Sequence, residues 1–277
     1  MTRNQRKAMD FSIDIGLLLF GLLMLAPLLM LVANAFKTPA EMVAWPPTFI
    51  PNDPTLDNFR SVLGETPLLL WIWNSLSFAI LSTIAIVLTS SIAGYIIAKF
   101  PFWSINVVFA LFLATAIVPF EVYMIPLYFQ VKDLGLLNTT QGLLIGYLVM
   151  SFGIFLIRQN VLASIPDELI EAARIDGAGE LWIYWHIVLP LLRGPMAALA
   201  VLAFFQAWTT FAWPMIVATR RSSYTIEVGL ALFSTGYTVD LGRLSAASAC
   251  VLIPSVLAFV ILRRNFVQGV ASTGMKE

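Results

Sequence analysis

The sequence predicts an all-α integral membrane protein with six transmembrane helices and a small polar helix–turn–helix ridge between the fourth and fifth. Three observations carry this expectation. The 277 residues are 59% hydrophobic and only 12% charged, where soluble domains carry about 25% charged residues. Charge-free runs recur at lengths that cross a ~30 Å hydrocarbon core at about 1.5 Å per helical residue. Between two of those runs one polar stretch, Ser164 to Pro195, gathers five acids (Asp167, Glu168, Glu171, Asp176, Glu180), Arg174, Arg193 and the one histidine, His186.

The first expected span covers about 15–36. Ala33-Asn34-Ala35 imitates a signal-peptidase site, but the run exceeds the ~7–15 residues of a signal core and acids Asp10 and Asp14 precede it. It therefore reads as a retained span. Residues 37–67 hold six prolines and read as an external loop with a short helix near Leu56–Leu63. The second span, about 68–98, opens on Trp71 and Trp73, which suit an interfacial belt. Its serines and Gly94 allow close helix approach, and Lys99 closes it.

The third span, about 103–130, contains Pro119 and Pro126 flanking Glu121. Membranes tolerate such breaks only where protein or a water-filled cavity satisfies the freed carbonyls. An intramembrane carboxylate points to a functional site, with helix clamping as the structural alternative. The fourth span covers about 140–158 and ends at Arg158; the fifth covers about 195–218; the sixth covers about 244–263 and ends at Arg263-Arg264. Residues 219–243 read as another outer loop. The whole of 1–277 reads as one transmembrane domain without internal repeats.

The central stretch reads as helix, tight turn, helix. Ser164 is a candidate cap, Pro166 suits a first turn, and acids there complement the helix dipole. Asp167, Glu171 and Arg174 share one face at spacings of four and three. Gly177 falls where a left-handed residue would stop the helix, and Pro190 is expected to end the second segment.

Glu171-Ala172-Ala173, Asp176-Gly177-Ala178, Ile187 through Leu191 and Pro195 resemble the EAA loop of ABC-importer permeases, in residue type and in spacing over more than twenty positions. An ordinary wet loop would explain the charge but not the small EAA–G core. Gln206 to Pro214, with Trp208, Trp213 and Pro214, is similar to a W-N-x-x-x-W-P region of sugar-importer permeases, Thr209 replacing the asparagine. The tail from Phe266 to Lys276 resembles the Gly-rich end of maltose-type permeases.

The resemblance, to the maltose and glycerol-phosphate permease type of carbohydrate ABC importer, implies a coupling loop at 164–193. There a short cytoplasmic coupling helix would dock on the ATPase, with Glu171, Ala172, Ala173, Asp176, Gly177 and Ala178 as the coupling set: Ala172, Ala173 and Gly177 for close packing and the turn, Glu171 and Asp176 to hold the loop's shape or contact the ATPase. It also implies alternating access for a sugar-like solute along a path for which Glu121, Trp208, Thr209 and Trp213 are candidates. The implied partners are a second permease, giving a heterodimer, two ATPase subunits, an extracytoplasmic substrate-binding protein and the bilayer of the inner membrane. ATP and Mg would act in the ATPase, and no cofactor is expected on this chain.

Other function classes are disfavoured by composition. A net charge of zero argues against a nucleic-acid surface. Zinc spacing, a phosphate-binding loop and a dinucleotide turn are absent from the sequence, so the chain is not expected to be an enzyme or to hydrolyse ATP. Cys250 lies in an apolar run and reads as a small core residue. With both termini cytoplasmic, the inner side holds Arg3, Arg6, Lys7, Lys99, Arg158, Arg174, Arg193, Arg263, Arg264 and Lys276, ten of 16 bases. That bias follows the positive-inside rule, although Arg220-Arg221 fall on the outer side. The rivals are an ion-coupled secondary transporter, for which only Glu121 is an intramembrane acid, and a membrane-embedded enzyme, for which His186 has no catalytic neighbours.

Overall fold

The computed structural model describes the backbone of residues 3–234 and 239–274 and the side chains of 13–234 and 239–261. Lys276 lies outside the described residues, as do the side chains of Arg3, Arg6, Lys7, Arg263 and Arg264. Among the described residues the architecture is all-α; extended backbone pairs only in an isolated bridge between Ser234 and Val239. The chain divides into two compact units, residues 1–68 with 230–254 and residues 69–229 with 255–277.

In the first unit, α1 (Arg3–Asn34) begins well before the expected 15 and runs through Pro27. Its apolar window, Ile13–Asn34, has nothing buried inside the chain, so its side chains are left for lipid or a partner. The loop that follows folds back on the helix end. Thr38 caps α2 (Pro39–Met42). The buried Lys37 donates from Nζ to Asn34 Oδ1 at 2.9 Å and to the Thr48 carbonyl. Glu41 accepts from the Asn52 N–H and the Thr48 hydroxyl; the Asn52 donor foremost holds its carboxyl below the usual range.

The short helix expected in this loop is α3 (Asp57–Glu65). Asn58 ties it down by donating to the Ala35 and Lys37 carbonyls at 3.1 and 2.9 Å. The unit's last helix, which runs on past its boundary, is introduced below.

The second unit begins along α4 (Leu68–Lys99), followed by α5 (Ile105–Ile117) and α6 (Phe120–Asp133). The last two form one bent pair, turning 97° at 118–119. Pro119, with no N–H to give, occupies the N-cap of α6. The expected span 140–158 is not one helix. It is α7 (Thr140–Ile145) and α8 (Ser151–Ser164), separated at 146–150. Next come α9 (Asp167–Ile175), α10 (Glu180–Ile183), a π-helical turn (Tyr184–Val188) and α11 (Leu189–Leu191). A 78° bend then leads into α12 (Arg193–Trp208). The expected fifth span therefore starts at Arg193 and breaks at 209–211, before α13 (Ala212–Val217).

A 3₁₀ turn (Arg221–Ser223) and α14 (Ile226–Ala231) lie in the expected outer loop. Asn138, at φ 63°, accepts from the N–H groups of Thr219 and Arg220 and so grips that loop. The final helix is α15 (Leu241–Gly274). Among the described residues three helices are long and apolar enough to cross a membrane, or five if each bent pair counts as one. The expected span not among these is the fourth, the divided one at 140–158.

Small residues set the approach of α4 to α8. A Cβ on Gly94 would lie 2.9 Å from the Arg158 backbone nitrogen and from Ile157 Cβ, and one on Gly153 would lie 2.4 Å from Ser90 Oγ. Ser90/Gly94 and Gly153/Ile157 thus form facing i, i+4 pairs, the small-residue packing that lets membrane helices touch. Gly94→Ala is expected to destabilise by about 1–3 kcal/mol through overpacking. It should lower the thermal midpoint in detergent. Gly64→Ala should not, because its added Cβ meets nothing within 4 Å. Equal midpoints for the two variants would contradict this packing.

Candidate functional site

The polar stretch builds a capped turn from its own residue types. Asp167 and Glu168 occupy the first turn of α9 and Arg174 the last, complementing the dipole at both ends. Ser164 does not cap α9. It is the last residue of α8, and Pro166 stands at the N-cap in extended conformation. The reason is Lys99, whose buried side chain donates to the Ile165 carbonyl at 2.6 Å and pairs with Asp167. One cation thereby closes α8 and opens α9.

At the other end of α9, Gly177 adopts φ +84°. Its N–H donates to the Arg174 carbonyl at 3.0 Å, and the Ala178 N–H donates to the Ala173 carbonyl at 2.9 Å. These two bonds define a Schellman cap. They explain why a glycine must follow the alanine pair at this spacing. The half-buried Ala173 and Ala178 pack against the core beneath, completing the apolar contact that accompanies such a cap. A Cβ on Gly177 would meet nothing within 4 Å. Within this chain the glycine is required by conformation.

The turn is rigidly joined to the helices behind it. Arg174 donates to Glu180 at 2.6 Å across the turn, and this bond, above other contributions, raises the guanidinium's pKa further. Ile170, Ile183, Tyr184 and Val188 are buried in one cluster with Ile86, Tyr95, Ile157 and Leu199. The Tyr184 hydroxyl meets Ser91 Oγ at 2.7 Å. Pro190 does not end the second segment. It lies in α11, and the π turn before it lets the helix run on, Leu189 N–H bonding to the Tyr184 carbonyl.

The outer surface of the turn is open. Leu169, Ala172, Ala173, Asp176, Gly177, Ala178, Trp182 and Ile187 line a depression of 590 Å³. Glu171, Ala172, Asp176 and Gly177 are exposed, as are Ile175 and Leu181, at 86% and 78%. The hollow is walled by apolar and small residues, with Asp176 as its one acid.

A second cavity, of 270 Å³, lies where two helix breaks meet. Phe120 and Tyr123 come from α6, Tyr147 from the α7–α8 break, Ser151 from α8, Thr115 from α5 and Gln206 from α12. The four path candidates fall differently around it. Trp208 is buried and stacked on Phe204, 5.9 Å between centroids. Trp213 is fully buried and donates to the Leu143 carbonyl at 3.0 Å, closing the end of α7. Thr209 donates to its own helix at Phe205. Glu121 is exposed, in the first turn of α6. Tyr147 and Gln206 stand on the cavity wall, although in sequence they are a tyrosine in an apolar run and an amide within an aromatic one.

Residues 90–272 match the family described as binding-protein-dependent transport system inner membrane component. The chain is 33% identical, over all of both chains, to the arabinooligosaccharides transport system permease protein AraQ of Halalkalibacterium halodurans. It is 30% identical to the lactose transport system permease protein LacG of Rhizobium radiobacter, over 97% of each chain. It is 32% identical to the sn-glycerol-3-phosphate transport system permease protein UgpE of Yersinia pestis, over 97% of this chain and 98% of that one. Its fold is similar to that of a bacterial ABC transporter involved in import of the acidic polysaccharide alginate, with TM-score 0.76, 24% identity and coverage of 96% and 99%.

The cap geometry makes a local prediction. A non-glycine residue in the left-handed region costs roughly 1–2 kcal/mol, least for asparagine. Gly177→Val should therefore speed hydrogen exchange at Gly177 and Ala178 by about tenfold, while Gly177→Asn stays near wild type. Equal exchange in the two variants would show that the positive φ is not what this position requires.

Proposed function

Because the chain belongs to the family of inner membrane components of binding-protein-dependent transport systems, we propose that it is one permease of an ATP-driven ABC importer for a sugar or sugar-like solute. The candidate solutes are an oligosaccharide, a glycoside or a glycerol-phosphate compound. The chain is a membrane transport component, and ATP hydrolysis with its Mg falls to separate subunits.

The observation that carries this reading is the open hollow on a turn locked into the helical core. A partner ATPase that seats against Ala172, Gly177 and Ala178 pushes on α9, and α9 cannot yield alone. The buried Ile170 and the Lys99 bonds to Ile165 and Asp167 tie it to the core and to α4, while Ile183 and the Tyr184–Ser91 bond hold the segment after the turn. Close-packed interiors transmit displacement rather than absorb it. Closure of the ATPase pair on ATP then swings the bundle, and a second permease moves opposite it. The solute site alternates between an external binding protein and the cytoplasm. In this reading both chain termini and the 164–193 loop lie on the cytoplasmic side.

The relatives whose names describe transport of arabinooligosaccharides, lactose and sn-glycerol-3-phosphate support the solute class. An ion-coupled transporter or a membrane enzyme would have no use for the exposed, capped hollow. In proteoliposomes carrying the whole complex, Gly177→Val is expected to abolish ATP-driven uptake and binding-protein stimulation of ATP hydrolysis, with the chain still inserted. Wild-type uptake and stimulation in that variant would remove the coupling assignment.

A further inference from the structure

The loop that leaves α1 carries an apolar face that nothing in the chain covers. Residues 43–50 read Val-Ala-Trp-Pro-Pro-Thr-Phe-Ile and hold no charge. Val43, Trp45, Phe49 and Ile50 are exposed, Trp45 at 90%. So dense a cluster of large apolar side chains marks an interaction surface. The polar groups of Thr48 are engaged within the loop: its hydroxyl donates to Glu41 Oε1 at 2.8 Å, and its carbonyl accepts from Lys37. Pro46 and Pro47 have no N–H that would need water.

The loop is held at the end of the span. Lys37 Nζ donates both to Asn34 Oδ1, on the last residue of α1, and to the Thr48 carbonyl. Sharing one ammonium keeps these two acceptors within about 6 Å of each other. The far end of the loop is pinned as well. The Thr55 N–H donates to the Phe36 carbonyl at 2.8 Å, and Asn58 bonds the Ala35 and Lys37 carbonyls. Glu41 braces the middle through Thr48 and the Asn52 N–H. The apolar window of α1 also ends at Asn34. Beyond a hydrocarbon edge the headgroup layer is about 5–8 Å deep. A loop fastened this close to the span's last residue starts in that layer, where the amphipathic ring of tryptophan is favoured.

We propose that residues 43–50 form a membrane-surface anchor, seating Val43, Trp45, Phe49 and Ile50 among lipid headgroups and upper acyl chains where α1 leaves the bilayer. The occupant is lipid rather than protein because the tether sets the patch at headgroup depth, continuous with the uncovered apolar window of α1. The patch also brings no charge to the polar rim that a protein interface carries. Seated this way, the loop fixes how deep α1 sits. The inference is independent of what the complex transports.

The test uses the whole complex in lipid nanodiscs, with Cys250→Ser and a bimane label on Val43→Cys; the complex lacking Val43→Cys is the blank. Lipids carrying a nitroxide near the headgroup should quench the label, and iodide in the water should reach it poorly. Trp45→Glu with Phe49→Glu should cut the lipid quenching by about threefold or more, because surface binding scales with the apolar area inserted. The thermal midpoint should hold, since both side chains are exposed in the chain. Iodide access without lipid quenching overturns the proposal, as does quenching indifferent to the two glutamates. A lowered midpoint also overturns it, by making the two side chains part of the fold. So does shielding from both quenchers, in the complex alone or only after the substrate-binding protein is added, which would assign the patch to a protein.

Discussion

Lipid offers no partner to a backbone N–H or C=O, so a chain this apolar can leave helical geometry only where its own side chains take over. That constraint organises the second unit. The end of α7 is closed by Trp213 Nε1 on the Leu143 carbonyl, and the break after it by Thr89 Oγ1 on the Leu148 carbonyl at 3.0 Å. Tyr147 reaches across to Thr210 at 2.6 Å, binding the 146–150 break to the one at 209–211. Phe120, just after the 118–119 break, packs edge-on against Trp213 at 5.7 Å. Because each break recruits groups from another, they gather in one place, and the cleft lies beside them. A site made of helix breaks follows from the solvent.

The turn between α9 and α10 shows the complementary feature, firm attachment to the bundle. A Schellman cap fixes the exit of α9, Lys99 fixes its entry, and the cluster around Ile170 and Tyr184 seats both on the bundle. What remains exposed combines small and acidic residues with the large apolar Ile175 and Leu181. Under the proposed importer function, the turn would take force and the cleft would take solute.

How much of this was legible in the sequence depends on whether the signal was local. Long charge-free runs located α1, α4 and α15, and Pro119 announced the bend in the third span. The alanine pair followed four residues later by Gly177 announced the cap, since only a few residue types accept a left-handed backbone. The break at 146–150 carried no local mark. Gly-Tyr-Leu-Val-Met contains neither proline nor charge, and its interruption comes from Thr89, Thr210 and Trp213, far away in sequence. Pro190 misled in the opposite sense, because a π turn absorbed the missing N–H that should have stopped the helix. Ser164 misled because a distant lysine, not the nearest hydroxyl, ordered the junction. Trp208 and Trp213 drew attention as aromatics in a broken helix. Both are buried, and it is Tyr147 and Gln206 that line the cavity.

The central claim is that the hollow around Gly177 is where nucleotide-driven motion enters this chain from another subunit. It is tested most directly by a photo-crosslinker placed on Ala172→Cys in a Cys250→Ser background, within the intact complex in sealed membrane vesicles. The account predicts that the probe is reached only from the cytoplasmic face and that light joins it to the ATPase subunit. A probe reached from the opposite face, or one that captures lipid and no ATPase chain, would contradict it.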